Sequence, residues 1–542
     1  MYLRKTSRKN KDGSAVEYYQ LAHNERHPVT RKPVAKIIHH FGRADKIDRD
    51  QLVRLCKSIA RVCGLNVMDS FEEPGTKQPS DVLGFPKDLK LIGTRSLGST
   101  WVIEALWEKL FIGKTLRDIC KRRQLTVPYE RALLALVANR LCEPQSKLGV
   151  WDRWLSKVFL PSCEGLKLDQ MYEAMDLLHE HAEEIEKAIF FSTANLLNRT
   201  VDLIFYDTTT ASFSIDGHEV DGIKQMGRPK EGGWTVQIVV ALAVTSDGLP
   251  VRSWVFPGNT TDVDTISRVR ADLRDWQLGR ALFIADAGMN SETNRDELAK
   301  ACGKYILACR MSSVTEIKNT VLGKRGRYTQ VKDNLMAKEV IVGDGERRRR
   351  YILCYNPKEA ERQKKHRQQI LAMLETEIDK HPDKSVTAKW AIELLASKRF
   401  KRYLTISKSK KIRIDQAKVR EAEKYDGKWV LQTNDDTISL EDAACGYRSL
   451  MVIERCFRSL KKTQIKITPM YHWLERRIEA HVKICVIALL IQRVGELECK
   501  MSWSQIRNRL EKLQVTEFFS IDHRFFRRNE MPPQVTEILK SL

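Results

Sequence analysis

The spacing of apolar residues changes several times along this 542-residue chain, and each change predicts a different kind of element. Residues 1 to about 45 alternate in short runs, "AVEYYQLAHNE" and "KPVAKIIHHFG", around a "KDG" turn, which predicts a small, basic β-rich module. An amphipathic helix over about 46–64 completes this module (1–72), and Gly, Pro and Ser predict a linker over 73–96. From 97 to 200 the apolar positions recur at helical spacing, as in "STWVIEALWEKLF" and "YERALLALVANRLC", predicting a helical domain. At 201 the period changes again. "VDLIFYDTTTASFSI" reads as a strand, and "TVQIVVALAVTSDGLPVRSWVFPGN" as a hairpin turning at Ser246, Asp247 and Gly248. A helix near 262–277, the strand "ALFIADAG", a second helix and the strand "YILACR" follow. Three strands, helix, strand, helix, strand predict a mixed sheet covered by helices over 201–311.

Residues 312–430 read as a basic β/α insertion, with strand-like "KRGRYTQVKDNLMAKEVIVGDGERRRRYILCY" and then a charged helix. The core resumes over 431–495, and 496–542 form a C-terminal tail. The predicted class is therefore multidomain α+β. The longest apolar run, "ICVIALLI" at 484–491, is too short to cross a bilayer.

Charge narrows the range of partners. Lys and Arg outnumber Asp and Glu by 93 to 70, a net charge of +23, which favours a polyanion such as nucleic acid. The 12 cysteines contain no CxxC pair, which argues against a zinc ribbon and for reduced thiols. The basic N-terminus lacks the apolar core of a signal peptide, so a soluble cytoplasmic protein is expected.

Three carboxylates stand out against this background. Asp207 interrupts the apolar strand "LIFYDTTT", where an unpaired charge is costly to bury. Asp286 ends the apolar run "ALFIADAG", where open α/β sheets place ligands, although it also suits a helix cap. Glu454 lies in "YRSLMVIERCFRSLKK" (447–462). On a helix, Leu450, Ile453, Phe457 and Leu460 form a core stripe, while Tyr447, Glu454 and Lys461 recur at sevens on a second face. Arg448, Arg455, Arg458 and Lys462 flank that face and suit phosphate contacts, although Glu454 paired with Arg458 would explain the helix equally well. Taken together, two strand-borne aspartates and a helix-borne glutamate in a basic protein suit a two-metal phosphoryl-transfer site. Mg²⁺, with Mn²⁺ as a substitute, takes oxygen ligands and needs no His or Cys cluster.

These motifs, in this order, resemble the DDE transposases of bacterial insertion sequences, in the branch with a Tyr–Arg–Glu–Lys signature helix. "YDTTT" resembles the first Asp motif, "IADAGM" the second and "YRSLMVIERCFRSLK" the signature. Spacings of 79 residues from Asp207 to Asp286 and 168 from there to Glu454 suit a family with an insertion before its glutamate. The resemblance implies a ribonuclease H-like fold with Asp207, Asp286 and Glu454 as catalytic metal ligands. It also implies Tyr447 and Lys461 as DNA contacts and Thr209 as a supporting hydroxyl. The signature's Arg falls on Leu450 here, leaving Arg448 as the neighbouring cation. The implied reaction is cleavage at terminal inverted repeats, followed by 3′-hydroxyl attack on target DNA. Double-stranded DNA is the implied partner, bound by a homodimer at the nucleoid, with residues 1–70 and the helical domain as end-recognition modules. "MGRPKEGGW" (226–234) reads either as a mobile connection or as a DNA-facing loop. Two rival readings are a ribonuclease H-like nuclease without strand transfer and a catalytically silent repressor.

Overall fold

A computed structural model describes residues 2–9, 15–26, 33–44, 90–197, 202–213, 220–229, 232–276, 278, 281–301, 303–383, 385–520 and 523–542. The chain divides into two compact units, Met1–Lys87 and Asp88–Leu542. In the first, β1 (Tyr2–Lys9), β2 (Ala15–Arg26) and β3 (Pro33–Arg43) form an antiparallel sheet in the order β1-β2-β3. The helix expected over 46–64 and the expected linker up to residue 89 lie outside the described residues.

The second unit is built on a ten-stranded mixed sheet. Its centre is β5 (Leu203–Ser212), flanked in parallel by β9 (Leu282–Ala285), which in turn pairs in parallel with β10 (Tyr305–Cys309). On the other side of β5, β7 (Thr235–Val244) pairs antiparallel, with β8 (Pro250–Pro257) and the short β6 (Gln225–Gly227) also on β7. Three antiparallel strands followed by two parallel ones give the ribonuclease H-like mixed sheet expected from the sequence.

Both faces of this sheet are buried, so its strands read as nearly continuous apolar runs. Alternation still separates the faces. Phe205, Ile238, Val240, Leu242, Leu282 and Ile284 pack on one side with helices, among them the long helix Glu475–Cys499. Ile204, Tyr206, Val239, Ala241, Phe283 and Ala285 pack on the other, against Ile266, Val269, Leu273 and Leu298 of the two crossover helices. The "ICVIALLI" run is the centre of the long helix and is buried from Ile484 to Ile491, as a helix apolar on all sides should be. Among the described residues, no helix is long and apolar enough to cross a membrane.

One boundary needs correction, and the insertion and the C-terminal tail gain strand pairings within the unit. The insertion does not stand apart from the core. Its strands β11 (Thr329–Lys332), β12 (Leu335–Val342) and β13 (Arg349–Tyr355) extend the mixed sheet through β16 (Lys428–Thr433), which pairs antiparallel with β10. The rest of the insertion has its own small core, in which Ile370 and Leu374 of the helix Pro357–Asp379 meet Tyr403, Leu404 and Ile412. Residues 90–96, read as the end of a linker, instead form β4 (Lys90–Ser96). Its partner is β17 (Gln514–Ser520), itself paired with β18 (His523–Arg528), so the C-terminal "tail" closes onto the start of the unit. Trp503, Ile506, Leu510, Val535 and Ile538 are buried there in the main core, which supplies the apolar burial a free tail would lack.

Candidate active site

Backbone register brings the two aspartates together. In the parallel pair β5–β9, Tyr206 stands opposite Ala285, so Asp207 and Asp286 occupy the next step along neighbouring strands. Alternation puts them on one face, Asp207 after Phe205 and Asp286 after Ile284. Asp207 is half-buried, and its Oδ1 accepts from the Thr208 N–H at 2.7 Å. Asp286 is exposed at the carboxyl end of its strand, and its Oδ1 accepts from the Ala287 N–H at 2.7 Å. The cap reading of Asp286 is thus realised together with its place beside Asp207.

The signature stretch covers the same face. Ser439 caps the helix Leu440–Arg448 by accepting from the Asp442 N–H at 3.0 Å. Gly446 faces Ile284 of β9, and a Cβ at that position would lie 3.3 Å from the Ile284 Cδ1. This close approach delivers the next residue, Tyr447, whose hydroxyl donates to Asp286 Oδ1 at 3.2 Å.

The stretch is not the single regular helix expected. After Arg448 the chain tightens, with Leu450 N–H bonded to Tyr447 O at 2.9 Å and Ile453 N–H to Leu450 O at 3.1 Å. A second helix, Met451–Arg458, follows, and then a widened π-type turn, Ser459–Thr463. The physical reason is core packing: Leu450, Ile453, Phe457 and Leu460 are all buried, as their spacing predicts, and the backbone adjusts its winding to keep them there. Tyr447, Glu454 and Lys461 therefore do not share one straight helical face.

Glu454 sits exposed on a firmly seated helix. The buried Cys456 thiol donates to Gly248 O at 3.6 Å in the β7–β8 turn, and Arg493 of the long helix donates to Asp247 O in that turn at 2.8 Å. Among the described residues, no ion pair joins Glu454 to Arg458. Arg448, Arg455, Arg458 and Lys462 are exposed, and Lys461 is half-buried.

The Tyr447 hydroxyl bonds to Asp286 and lies within the electrostatic field of Glu454 and Asp207. Burial raises its pKa first, followed by the charge of Asp286 and the hydrogen bond to it, then the charges of Glu454 and Asp207. All three act on one phenol, which stays protonated and so remains a donor to Asp286. The donor set is oxygen only and fits a hard divalent cation. Among the described residues, no three His, Cys, Asp or Glu side chains are gathered tightly enough to grip an ion.

Thr209 is buried on the Asp207 side of β5, opposite Val240. Sequence reasoning passed over its neighbour Thr208, whose hydroxyl on the opposite face donates to the Asp262 carboxylate. Asp262 also lies under the turn that carries Asp286, since a Cβ on Gly288 would come within 2.9 Å of it. The signal for Asp262 was its position just before a helix, but nothing local connects it to a strand 54 residues earlier. A cleft of about 430 Å³ opens beside it, lined by Thr208, Arg228, Trp234, Asn259, Asp262 and Arg310. Trp234, in the Gly-rich loop, is 72% exposed.

Comparison with known proteins gives the family. The family described as "Transposase DDE domain" matches residues 208–491, just over half of the chain, beginning at the residue after Asp207 and including Asp286 and Glu454. The family described as "IS1634 family transposase, N-terminal domain" matches residues 3–69. No curated protein matches. Among solved structures, the chain is similar to a piggyBac transposase in a synaptic complex with hairpin DNA, at 12% identity over 76% of this chain and 78% of that one, with a TM-score of 0.33. With two parallel strands presenting adjacent aspartates, a glutamate on the helix that covers them and both matches in chain order, this protein belongs to the DDE transposases of insertion sequences.

Proposed function

We propose that this chain cuts DNA at the ends of its element and joins the freed 3′-hydroxyl to target DNA, with Asp207, Asp286 and Glu454 as the catalytic carboxylates. The observation that supports this reading is the register that sets Asp207 and Asp286 side by side at the carboxyl ends of two parallel strands, with Tyr447, from the stretch that carries Glu454, donating to Asp286.

The strands do the positioning. Asp207 Oδ1 and Asp286 Oδ1 each accept from the backbone N–H of the next residue, which holds the carboxylate plane. Tyr447 holds Asp286 from the helix side. Together with Glu454 these aspartates would hold the divalent ions, Mg²⁺ or Mn²⁺, two per site. When bound, such ions supply Lewis-acid activation of the attacking oxygen and stabilise the leaving one. Arg448, Arg455, Arg458, Lys461 and Lys462 lie along the same stretch and suit the phosphates flanking the scissile bond. A net charge of +23 supports double-stranded DNA as the partner. Holding two ends for a joint reaction calls for a dimer.

The test uses the purified chain, DNA spanning the ends of its element, and Mg²⁺. Cleavage should be lost in Asp207→Asn, Asp286→Asn and Glu454→Gln while DNA binding persists. Near-normal cleavage by any one of them would remove that residue from the site. Cleavage without joined products would support a nuclease that lacks strand transfer.

A further inference from the structure

Away from the carboxylates, a cleft of about 520 Å³ is lined from two directions, by residues 140–153 of the helical region and by residues 466–472 with His481. Four cations line it, Arg140, Lys147, Arg153 and Lys466, with no Asp or Glu. Two of them are deeply buried, Lys147 at 4% exposure and Arg140 at 5%. A buried cation ordinarily meets a carboxylate, because leaving its charge unpaired is costly. Four other buried cations follow that rule, whereas the buried Lys338 donates instead to Lys324 O at 2.6 Å. Lys483 meets Glu186 at 2.7 Å, Arg350 meets Glu339, Arg367 meets Asp426, and Arg252 meets Glu183.

Lys147 and Arg140 do not. The Lys147 ammonium bonds to His481 Nδ1 at 2.6 Å, and His481 Nε2 in turn donates to Ile467 O at 3.0 Å. Arg140 donates to Lys466 O at 3.2 Å and to Gln145 O, both backbone oxygens, and to Asn139 Oδ1 at 3.3 Å. Asp176 and Glu479, on the helices that carry the cleft-lining Tyr172 and His481, are engaged elsewhere, Asp176 by Arg476 and Arg477 and Glu479 by His179. Burial, then the charges of Lys147, Arg477 and Arg140, depress His472 to about 3. Burial, then Arg140, holds Lys147 well below the usual lysine value. At the mouth, Tyr471 is 61% exposed and Leu148 51%, so the opening has both an aromatic surface and a wet edge.

We infer that this cleft is a phosphate-binding site whose buried Lys147 and Arg140 await an oxyanion, with Arg153 and Lys466 at its rim. A tetrahedral oxyanion supplies several acceptor oxygens and the missing negative charge together. Its source is either a backbone phosphate of DNA or free phosphate. The DNA source rests on the proposed transposition function, whereas the phosphate chemistry does not.

Two readouts test it. The first is the melting temperature of the full chain titrated with inorganic phosphate. The second is the salt dependence of its binding to a mixed-sequence DNA duplex. Wild type should show a saturable rise in Tm, lost in Lys147→Met, which keeps the stem and removes the charge. For a DNA source, the slope of log K against log salt should also become shallower by about 0.9, the value for one lost phosphate contact. If only the phosphate shift is lost, the site is supported and its ligand is free phosphate. If Lys147→Met fails to fold, Arg153→Gln and Lys466→Asn carry the same readouts from the exposed rim. Asn suits the left-handed backbone of Lys466, at φ 54°. Unchanged phosphate shift and unchanged slope in the folded variants would overturn the inference. Should that occur while Asp207→Asn still abolishes cleavage, the cleft assignment falls and the catalytic one stands.

Discussion

The two regions that deliver the three carboxylates do so by different physics. Asp207 and Asp286 are set by a parallel ladder, Leu203 to Tyr206 against Leu282 to Ala285, so their separation is fixed by backbone hydrogen bonds. Glu454 has no ladder. Its position depends on Ile453, Cys456 and Phe457 being buried, on the tight turn at Leu450, and on the close approach of Gly446 to Ile284. The lesson is that a strand-borne ligand tolerates changes in its surroundings as long as the sheet forms. A helix-borne ligand is only as well placed as the side chains beneath it.

The largest expected effect does not discriminate between the regions. Asp207→Asn, Asp286→Asn and Glu454→Gln each remove a charge worth several kcal/mol to the transition state, so each should cut Mg²⁺-dependent cleavage by about a thousandfold or more. Their melting temperatures should stay close to wild type, because none of the three carries core packing.

Packing changes should separate the two. Gly446→Val adds atoms where a Cβ alone is already 3.3 Å from Ile284, so it should push the helix off β9 at a cost of about 1–3 kcal/mol. Cleavage should fall with it, and Ile284→Val should restore part of both in a double-mutant cycle. If stability falls while the folded fraction cleaves normally, helix seating does not control Glu454. An effect of similar size belongs to the bond that joins the regions. Tyr447→Phe removes the 3.2 Å contact with Asp286, a hydrogen bond to a charged group worth about 1.5–3 kcal/mol, so a tenfold loss of cleavage with little change in DNA affinity is expected. A wild-type rate in Tyr447→Phe would show that the ladder alone orients Asp286.

The same division explains what could be read from the sequence. The aspartates were legible because a period of two needs only neighbouring residues: Phe205, Asp207 and Thr209 announce a face, and a carboxylate between them is conspicuous. The core stripe of Leu450, Ile453, Phe457 and Leu460 was legible too. The path of the backbone beneath it was not, since spacings of three and four are compatible with a tightened turn, an α-helix and a widened turn alike. Pairings between distant segments left no local trace. Nothing near Lys90 announces Phe519, its partner across the β4–β17 pair, and nothing in 329–355 shows that these strands extend the sheet at β16. Lys147 and Arg140, buried without a carboxylate partner, were also invisible, because a buried cation looks like any other until its surroundings are known.

The central claim is that Asp207, Asp286 and Glu454 belong to one metal site, and the most direct measurement is a Mn²⁺ titration of the full chain followed by electron paramagnetic resonance. The account predicts a bound Mn²⁺ population in wild type that is weakened in each of Asp207→Asn, Asp286→Asn and Glu454→Gln. Wild-type Mn²⁺ binding by Glu454→Gln, alongside loss in both aspartate variants, would contradict it.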